Sequence, residues 1–357
     1  MAAPAESAPA RRVALLTGSP GALLDAVAGE LARAGWEPLT IPSRADGGPA
    51  DAPAAADAVI HLGLRTPRDL DEPLRVQAEA LAAAGAAALA RRVGARRLLH
   101  LSTCAVYGRP RNLPCREAEL KAPRTAYERI RWGAERASWA AFREGAPLTV
   151  LRPALLYGPT LRGGPVRALA LVALFNQRKA RIPIIRRGPV AHLCHLTDLA
   201  RAAVHVASHP DDAAVLGRAF NVADEAPLPL AELLETALRA LGYQPGRSLP
   251  TLPRLTSLLL WLFRHVPDRA LLDPVNRRLV GAWRRFARGQ ADALVPRIDR
   301  EALHWMSADH YYDTRALAAT GFRLRHPVAT DVLPETIRAL VSSRLLPGAG
   351  GATFPTW

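Results

Sequence analysis

Short apolar runs alternate with one-faced helical stretches along most of this 357-residue chain. Val13-Ala14-Leu15-Leu16 is such a run, closed by Thr17-Gly18-Ser19-Pro20-Gly21. It reads as a buried strand followed by a tight turn. Residues 22–34 then read as a helix that stops at Gly35, and residues 36–41 as a second strand. A strand is expected at 57–63, an alanine-rich helix at 74–92, and a strand from Leu98 that ends in Ser102-Thr103. A helix from Tyr127 to Phe142 and a strand at 148–153 follow. Further on, the pattern gives a helix at 166–178, a basic strand and turn at 180–188, strands at 191–198 and 217–223, and an amphipathic helix at 230–241. Strands separated by helices of this length predict an α/β fold: a doubly wound parallel sheet of Rossmann type, with a smaller, mostly helical C-terminal domain.

Composition narrows the picture. The chain is 49% apolar, yet no run approaches the ~20 apolar residues of a membrane span. The N-terminus lacks the basic-then-apolar order of a signal peptide, so a cytoplasmic location is expected. Residues 1–10 read as a disordered Ala/Pro tail and 346–357 as a loose Gly/Pro tail. Cys104, Cys115 and Cys194 have no metal-like spacing, and their odd number argues against a disulfide framework. The formal charge is +15, and lysine contributes only Lys121 and Lys179, so the positive charge is nearly all arginine. Such a bias permits attraction to a phosphorylated cofactor, lipid headgroups or nucleic acid. No nucleic-acid motif accompanies it, so nucleic acid is not an expected partner.

Two stretches carry the chemistry. After the first strand, Gly18 permits a turn, and the helix that follows offers N–H groups to a pyrophosphate. Later, Leu98 to Gly108 brings Ser102 and Thr103 to a strand end, while Tyr127 and Arg131 lie one helical turn apart on one face. A hydroxyl facing a Tyr and a cation suits proton transfer to or from an alcohol. The cation favours the phenolate and lowers a pKa that starts near ~10. The second strand ends in Pro42-Ser43-Arg44 rather than an acidic residue. Arg44 and Ser43 suit a 2′-phosphate, which favours NADP(H) over NAD(H).

On these residues the chain resembles the extended short-chain dehydrogenase/reductases, also called the NAD-dependent epimerase/dehydratase family. The resemblance covers residues 12–345 and is weakest at 242–309. It rests on Thr17-Gly18-x-x-Gly21, on Asp57-x-Val59-Ile60-His61-Leu62-Gly63, on Thr103 before Val106-Tyr107-Gly108, and on Tyr127-x-x-x-Arg131. Arg152-Pro153-x-x-x-Tyr157-Gly158-Pro159, His195-x-x-Asp198 and Asn221-Val222 extend it. The resemblance implies catalytic roles for Thr103, Tyr127 and Arg131. It implies a cofactor site of Gly18, Ser19, Pro20, Gly21, Arg44, Leu62, Gly63, Arg131 and Pro153. Residues 11–160 would form the dinucleotide-binding domain, completed by 189–224 and 313–345, and residues 161–188 and 225–312 the substrate domain. Four positions and one segment depart from the family pattern: Arg131 replaces Lys, Leu24 the third glycine, Glu79 an Asn, Ala191 a diphosphate-binding Arg, and 45–56 is only a loop. His61 is expected to be a packed strand residue, and Thr197 or Asp198 a helix cap. Strand alternation points His192 and His195 to opposite faces, so no metal is expected.

An unusual segment lies in the weakest region. Residues 255–263 are apolar all round but too few to span a bilayer. In 276–288, Arg277, Arg278, Arg284, Arg285 and Arg288 share one helical face and Leu279, Val280, Trp283 and Phe286 the other. Two readings follow: a cap whose apolar face packs on the substrate site, or a peripheral membrane contact through 255–288. The pairing resembles the 3β-hydroxysteroid dehydrogenase branch of the family. The expected function is therefore NAD(P)-dependent oxidoreduction of a secondary alcohol or ketone of a lipophilic, sterol-like small molecule. The alternatives are a cofactor-binding scaffold with little turnover and a nucleotide-sugar epimerase or dehydratase; Ala191 speaks against the latter. The family resemblance further implies a homodimer through the Tyr127 helix and the helix before the Thr103 strand.

Overall fold

A computed structural model describes residues 11–42, 52–67, 70–163, 165–175, 181–184, 188–248, 261, 266, 268–286, 294–298, 305 and 307–346. In chain order, β1 (Arg12–Gly18), α1 (Ala22–Arg33), β2 (Trp36–Pro42), β3 (Ala58–His61), α2 (Glu72–Arg92) and β4 (Arg97–Leu101) come first. A 3₁₀ turn (Cys104–Tyr107), α3 (Ala126–Arg143), β5 (Leu148–Pro153) and β6 (Leu155–Tyr157) follow. Then come α4 (Pro165–Phe175), β7 (Arg181–Ile184), β8 (Val190–Ala191), β9 (Leu193–His195), α5 (Leu196–Ser208), α6 (Asp212–Val215) and β10 (Arg218–Val222). The rest comprises β11 (Leu228–Pro229), α7 (Leu230–Ala240), β12 (Gln244–Ser248), α8 (Asp268–Phe286), α9 (Arg315–Ala318) and α10 (Ala329–Ser342).

Six strands pair in the order β10-β5-β4-β3-β1-β2, and every pairing is parallel. This is the doubly wound sheet that the alternation of strands and helices predicts. The chain leaves β1 towards β2 on one side and returns to β3 on the other. The carboxyl ends of β1 and β3 therefore flank the switch point, where open α/β sheets bind ligands. Period-two alternation sorts the strand residues between the faces. Leu16 and Ile60 join a core with Val27 of α1 and Leu199 of α5. Leu15 and Val59 join another with Ala86 of α2 and Ala141 of α3. Among the described residues β2 is the edge of the sheet, and the stretch from Ala52 to Asp57 contains no strand.

A separate helical core collects α4, α7, α8 and α10 around Tyr157, Leu169, Leu238, Trp283 and Ile337. In α8, Leu279 and Trp283 are buried while Arg277, Arg278 and Arg284 are exposed. Leu279 and Trp283 of its apolar side are thus packed against the protein, with Val280 half-buried. Of the apolar stretch 255–263, only Trp261 lies within the described residues, and Arg288 lies outside them. No helix among the described residues is long and apolar enough to cross a membrane.

Candidate active site

The turn after β1 is held against the end of β3. Gly18 has φ +141°, and a Cβ there would stand 2.8 Å from the Gly63 carbonyl oxygen. Only glycine lets the two strand ends approach so closely. Leu62 N–H donates to the Thr17 carbonyl at 2.8 Å and Ser19 N–H to the Gly63 carbonyl at 3.0 Å. The Ser19 hydroxyl accepts from Arg65 N–H at 2.7 Å. α1 opens at Gly21 with no side-chain cap, so its first-turn N–H groups point at the crevice. The exposed Arg65 lays its guanidinium beside this turn: Nη2 is 3.1 Å from where a Gly21 Cβ would stand. Glycine backbone, free helix N–H groups and a cation together fit the pyrophosphate of a dinucleotide.

A capping box between Thr125 and Glu128 fixes the start of α3 and places Tyr127 in its first turn, 43% exposed. Thr103 is buried at the end of β4. Its Oγ1 accepts from Ala105 N–H at 3.2 Å, which leaves its own O–H to donate. Arg131 is only 9% exposed. Its Nη2 donates to the Leu101 carbonyl at 2.5 Å, and its Nη1 lies 3.5 Å from Glu79 Oε1. The second Glu79 oxygen accepts from Leu64 N–H at 3.2 Å. Burial opposes the Arg131 charge, but Glu79, Tyr127 and Glu135 outweigh it, so its pKa is raised further. A Cβ on Gly63 would stand 2.0 Å from Arg131 Nη1. The Nη1 edge of the guanidinium therefore lies against Gly63, on the surface that the family resemblance assigns to the cofactor.

The structure thus brings Gly18, Leu62, Gly63, Arg131 and Glu79 together at the ends of β1 and β3, with Thr103 at the end of β4. Pro153 closes β5, in register with Val222 of β10. Ser19 and Pro20 lie in the turn itself, whereas Arg44 lies outside the described residues. The model of the NAD dependent epimerase/dehydratase family matches residues 15–223, more than half of the chain. The chain belongs to this family.

Solved structures of similar shape span nearly the whole chain. A UDP-galactose 4-epimerase superimposes with a TM-score of 0.64 at 15% identity, covering 93% of this chain and 99% of its own. The terminal R domain of the myxalamid PKS-NRPS pathway gives 0.64 at 19%, with 96% and 94% covered. RMD from Pseudomonas aeruginosa, complexed with NADPH, gives 0.61 at 19%, with 93% and 99% covered. At these identities the likeness is one of fold. No curated protein matches the chain.

Beneath the family motifs lies a buried polar network. Glu135, one turn beyond Arg131 on α3, accepts from the Ser102 hydroxyl at 2.5 Å, Trp139 Nε1 at 3.0 Å and Arg152 Nη2 at 2.6 Å. Arg152 Nη1 donates to the Tyr107 hydroxyl at 2.7 Å, which donates to Asn221 Oδ1 at 2.8 Å. Burial alone would raise the Glu135 pKa; the Arg152 charge and these hydrogen bonds hold it below the usual carboxylate value. The network ties β4, α3, β5 and β10 together behind Thr103. Sequence reasoning missed Glu135 as well as Arg65. The i, i+4, i+8 series Tyr127–Arg131–Glu135 is the signal for the first; an Arg two residues beyond Gly63 is the signal for the second.

The histidines are structural, as expected for His61. It is buried, bonded to Thr17 Oγ1 at 2.9 Å, and its pKa is well below normal through burial and the neighbouring His100 and Arg131. The cap of α5 differs from the expectation. His195 Nδ1 accepts from Thr197 N–H at 3.3 Å, whereas Asp198 turns inward to accept from Arg325 and His326 N–H at 2.6 and 2.9 Å. His195, Asp198 and His326 place ligand-type atoms within 4.8 Å of one another. Those bonds already employ Asp198 and His195, so the cluster acts as a pin between α5 and the segment after α9.

Proposed function

We propose that the protein is an NAD(P)-dependent oxidoreductase that interconverts a secondary alcohol and a ketone on a lipophilic, sterol-like small molecule. The observation that carries this reading is the gathering of the Gly18 cradle, the Thr103 hydroxyl and Arg131 at the carboxyl ends of β1, β3 and β4, with Tyr127 one helical turn before Arg131 on α3. A nicotinamide cofactor, when bound, supplies or accepts the hydride. Tyr127 gives or takes the proton of the reacting oxygen as general acid/base. Thr103 donates a hydrogen bond to that oxygen. Arg131 sets a fixed positive charge one helical turn from Tyr127 on the same helix. Arg65 faces the pyrophosphate that NAD and NADP share, and the preference for NADP(H) rests on the Ser43-Arg44 sequence after β2, which lies outside the described residues. Ala191 is buried in β8, so position 191 itself offers no cation where nucleotide-sugar enzymes of the family carry Arg.

One observation favours a second reading. Glu79 and the Leu101 carbonyl pin Arg131 onto Gly63, where an Arg is bulkier than Lys and cannot release its proton. A cofactor-binding scaffold with little turnover would look like this. Titration with NADPH and NADH, followed by cofactor fluorescence, separates the two. Wild type binding NADPH, with Tyr127→Phe keeping that affinity but losing at least about a hundredfold in ketone reduction, supports the enzyme. Binding without turnover in wild type supports the scaffold. Binding by Arg131→Lys alone marks a site lost at that position.

A homodimer through α2 and α3 belongs to the same proposal. A groove of about 690 Å³ between these helices is lined by Trp132, Trp139, Val76 and Ala80. The helices touch closely at Gly133, where a Cβ would meet Val76 at 2.8 Å. Sedimentation of wild type and Trp132→Glu tests it; a monomeric wild type rejects it.

A further inference from the structure

Three buried nitrogen atoms contributed by β3, β4 and α3 have no hydrogen-bond partner among the described residues: His61 Nε2, His100 Nε2 and Arg131 Nε. The three residues are 1%, 0% and 9% exposed. We propose that these nitrogens share one internal water molecule, and that this water fixes how the Arg131 guanidinium is turned. The site does not depend on the reaction proposed above.

The sheet sets the two imidazoles side by side. His61 of β3 is in register with Thr17 of β1 on one side and with His100 of β4 on the other. Residues in register on adjacent strands project to the same face, and the two ring centres are 5.4 Å apart. His61 Nδ1 is paired with Thr17 Oγ1 at 2.9 Å, and His100 Nδ1 with the Ser138 hydroxyl of α3 at 3.0 Å. The two nitrogens of an imidazole diverge, so His61 Nε2 is directed away from β1. Each ring is thus held by one nitrogen and keeps the other for a further partner. Arg131 reaches the same layer from α3. Its Nη2 is committed to the Leu101 carbonyl and its Nη1 lies beside Glu79, which leaves the Nε–H to be satisfied. Burial, and then neighbouring charges that include Arg131 in both cases, holds the two histidines neutral. The guanidinium is therefore close to both rings.

Buried polar groups are bonded to protein or to ordered water in nearly every case, and a buried water typically makes about three hydrogen bonds. The chemistry of the three nitrogens selects water over an ion. A cation would lie against the fixed charge of Arg131. An anion fits poorly because Glu79, 3.5 Å from Nη1, already balances that charge. Water both donates and accepts, as the set requires. Arg131 Nε–H only donates, whereas a neutral imidazole nitrogen donates or accepts according to its tautomer. Water accepts two hydrogen bonds, so the three nitrogens cannot all be donors to it. At least one ring must present a bare Nε2 and carry its proton on Nδ1, where it donates to Thr17 or Ser138. The resulting chain runs from Thr17, beside the Gly18 turn, through His61, the water and His100 to Ser138 on α3, with Arg131 anchored at its centre. His61 and His100 are thereby positioning residues for Arg131.

A high-resolution crystal structure of the full chain tests the site directly. The expected result is a density peak about 2.7–3.2 Å from all three nitrogens. A bromide soak is the comparison, and an anomalous peak at the same point would identify an anion and overturn the proposal. In solution, oxygen-17 relaxation dispersion should register one long-lived water fewer in His100→Phe than in wild type, with His61→Phe as the second variant. The Arg131 Nε–H signal, assigned through its loss in Arg131→Lys, should show a cross-peak to water that His100→Phe removes; a ring that merely fills space would leave that cross-peak in place. Long-range proton–nitrogen correlation of labelled histidines in wild type should find the proton on Nδ1 of at least one of the two rings, a readout that stands should both variants unfold. The absence of a density peak among the three nitrogens, an unchanged water count in a folded variant, or protons on Nε2 of both rings overturns the proposal.

Discussion

Replacing Glu79 with Gln removes the carboxylate opposite Arg131 while keeping side-chain size. The two charges lie 3.5 Å apart, and Glu79 and Arg131 are 2% and 9% exposed, so water screens them weakly. At an effective dielectric of about 20 their attraction is worth about 5 kcal/mol before desolvation. Leaving one partner of a buried pair uncompensated typically costs about 3–5 kcal/mol. The remaining bond from Arg131 to the Leu101 carbonyl still supports the guanidinium, which places the expected loss near the lower end, about 3 kcal/mol. Urea unfolding followed by the fluorescence of the seven tryptophans measures it, with a lower midpoint at unchanged slope as the signature. Glu79→Asn/Arg131→Lys, which carries the residues typical of the family at both positions, should lose less than the two single variants combined, by at least about 1 kcal/mol. A loss below about 0.5 kcal/mol in Glu79→Gln, or strict additivity in the double variant, would refute the view that the two departures form one pair.

Three further outcomes are expected. Glu135→Gln leaves Arg152 buried without its carboxylate, at a cost of about 3–5 kcal/mol. For 357 residues at ~2.1 cal/mol/K each, that lowers Tm by about 4–7 °C, and calorimetry showing under 1 °C would contradict it. Asp224 is 3% exposed with Oδ1 unpartnered, and burial, then the Asp198 charge, pushes its pKa up to about 8 from 3.8. Its folded form holds the proton more tightly, so its stabilising contribution is complete below about pH 4 and is lost as pH rises through about 8. Asp224→Asn should therefore flatten the fall of Tm between pH 5 and 8.5, and parallel curves for both proteins would exclude this. Arg65→Gln should weaken NADPH binding about five- to tenfold at low salt and less at high salt; an unchanged titration would remove Arg65 from the cofactor site.

What could be read from the sequence was whatever depends on neighbours along the chain. The strand at 148–153 appears with the same limits, because the apolar and β-branched residues Leu148-Thr149-Val150-Leu151 mark it and Pro153 ends it. α3 begins one residue earlier than Tyr127, since Thr125 and Glu128 close a capping box whose Thr-x-x-Glu spacing is itself visible. Turn chemistry at Gly18 was legible for the same reason. Pairings across the fold were not. Glu79 and Arg131 each stand out as a departure, but nothing local says that they face one another. Asp198 has the residue type of a helix cap, yet it bonds Arg325 and His326, which only the folded chain brings near. The Ser102–Glu135–Arg152 network is likewise assembled from three elements, and each member alone reads as an ordinary polar residue.

The edge position of β2 has a consequence for how copies of this chain meet. A strand paired on one side only offers its outer N–H and C=O groups as a template for a foreign strand. β2 runs Trp36-Glu37-Pro38-Leu39-Thr40-Ile41-Pro42, so two of its seven positions have no N–H to give. Its register with β1 is nevertheless continuous from Trp36 to Pro42, which a proline permits when its missing donor faces the open side. The exposed Glu37 adds a charge to the same strand. Among the described residues the sheet ends here, and the two prolines interrupt the hydrogen-bond ladder that strand-by-strand growth into fibrils requires.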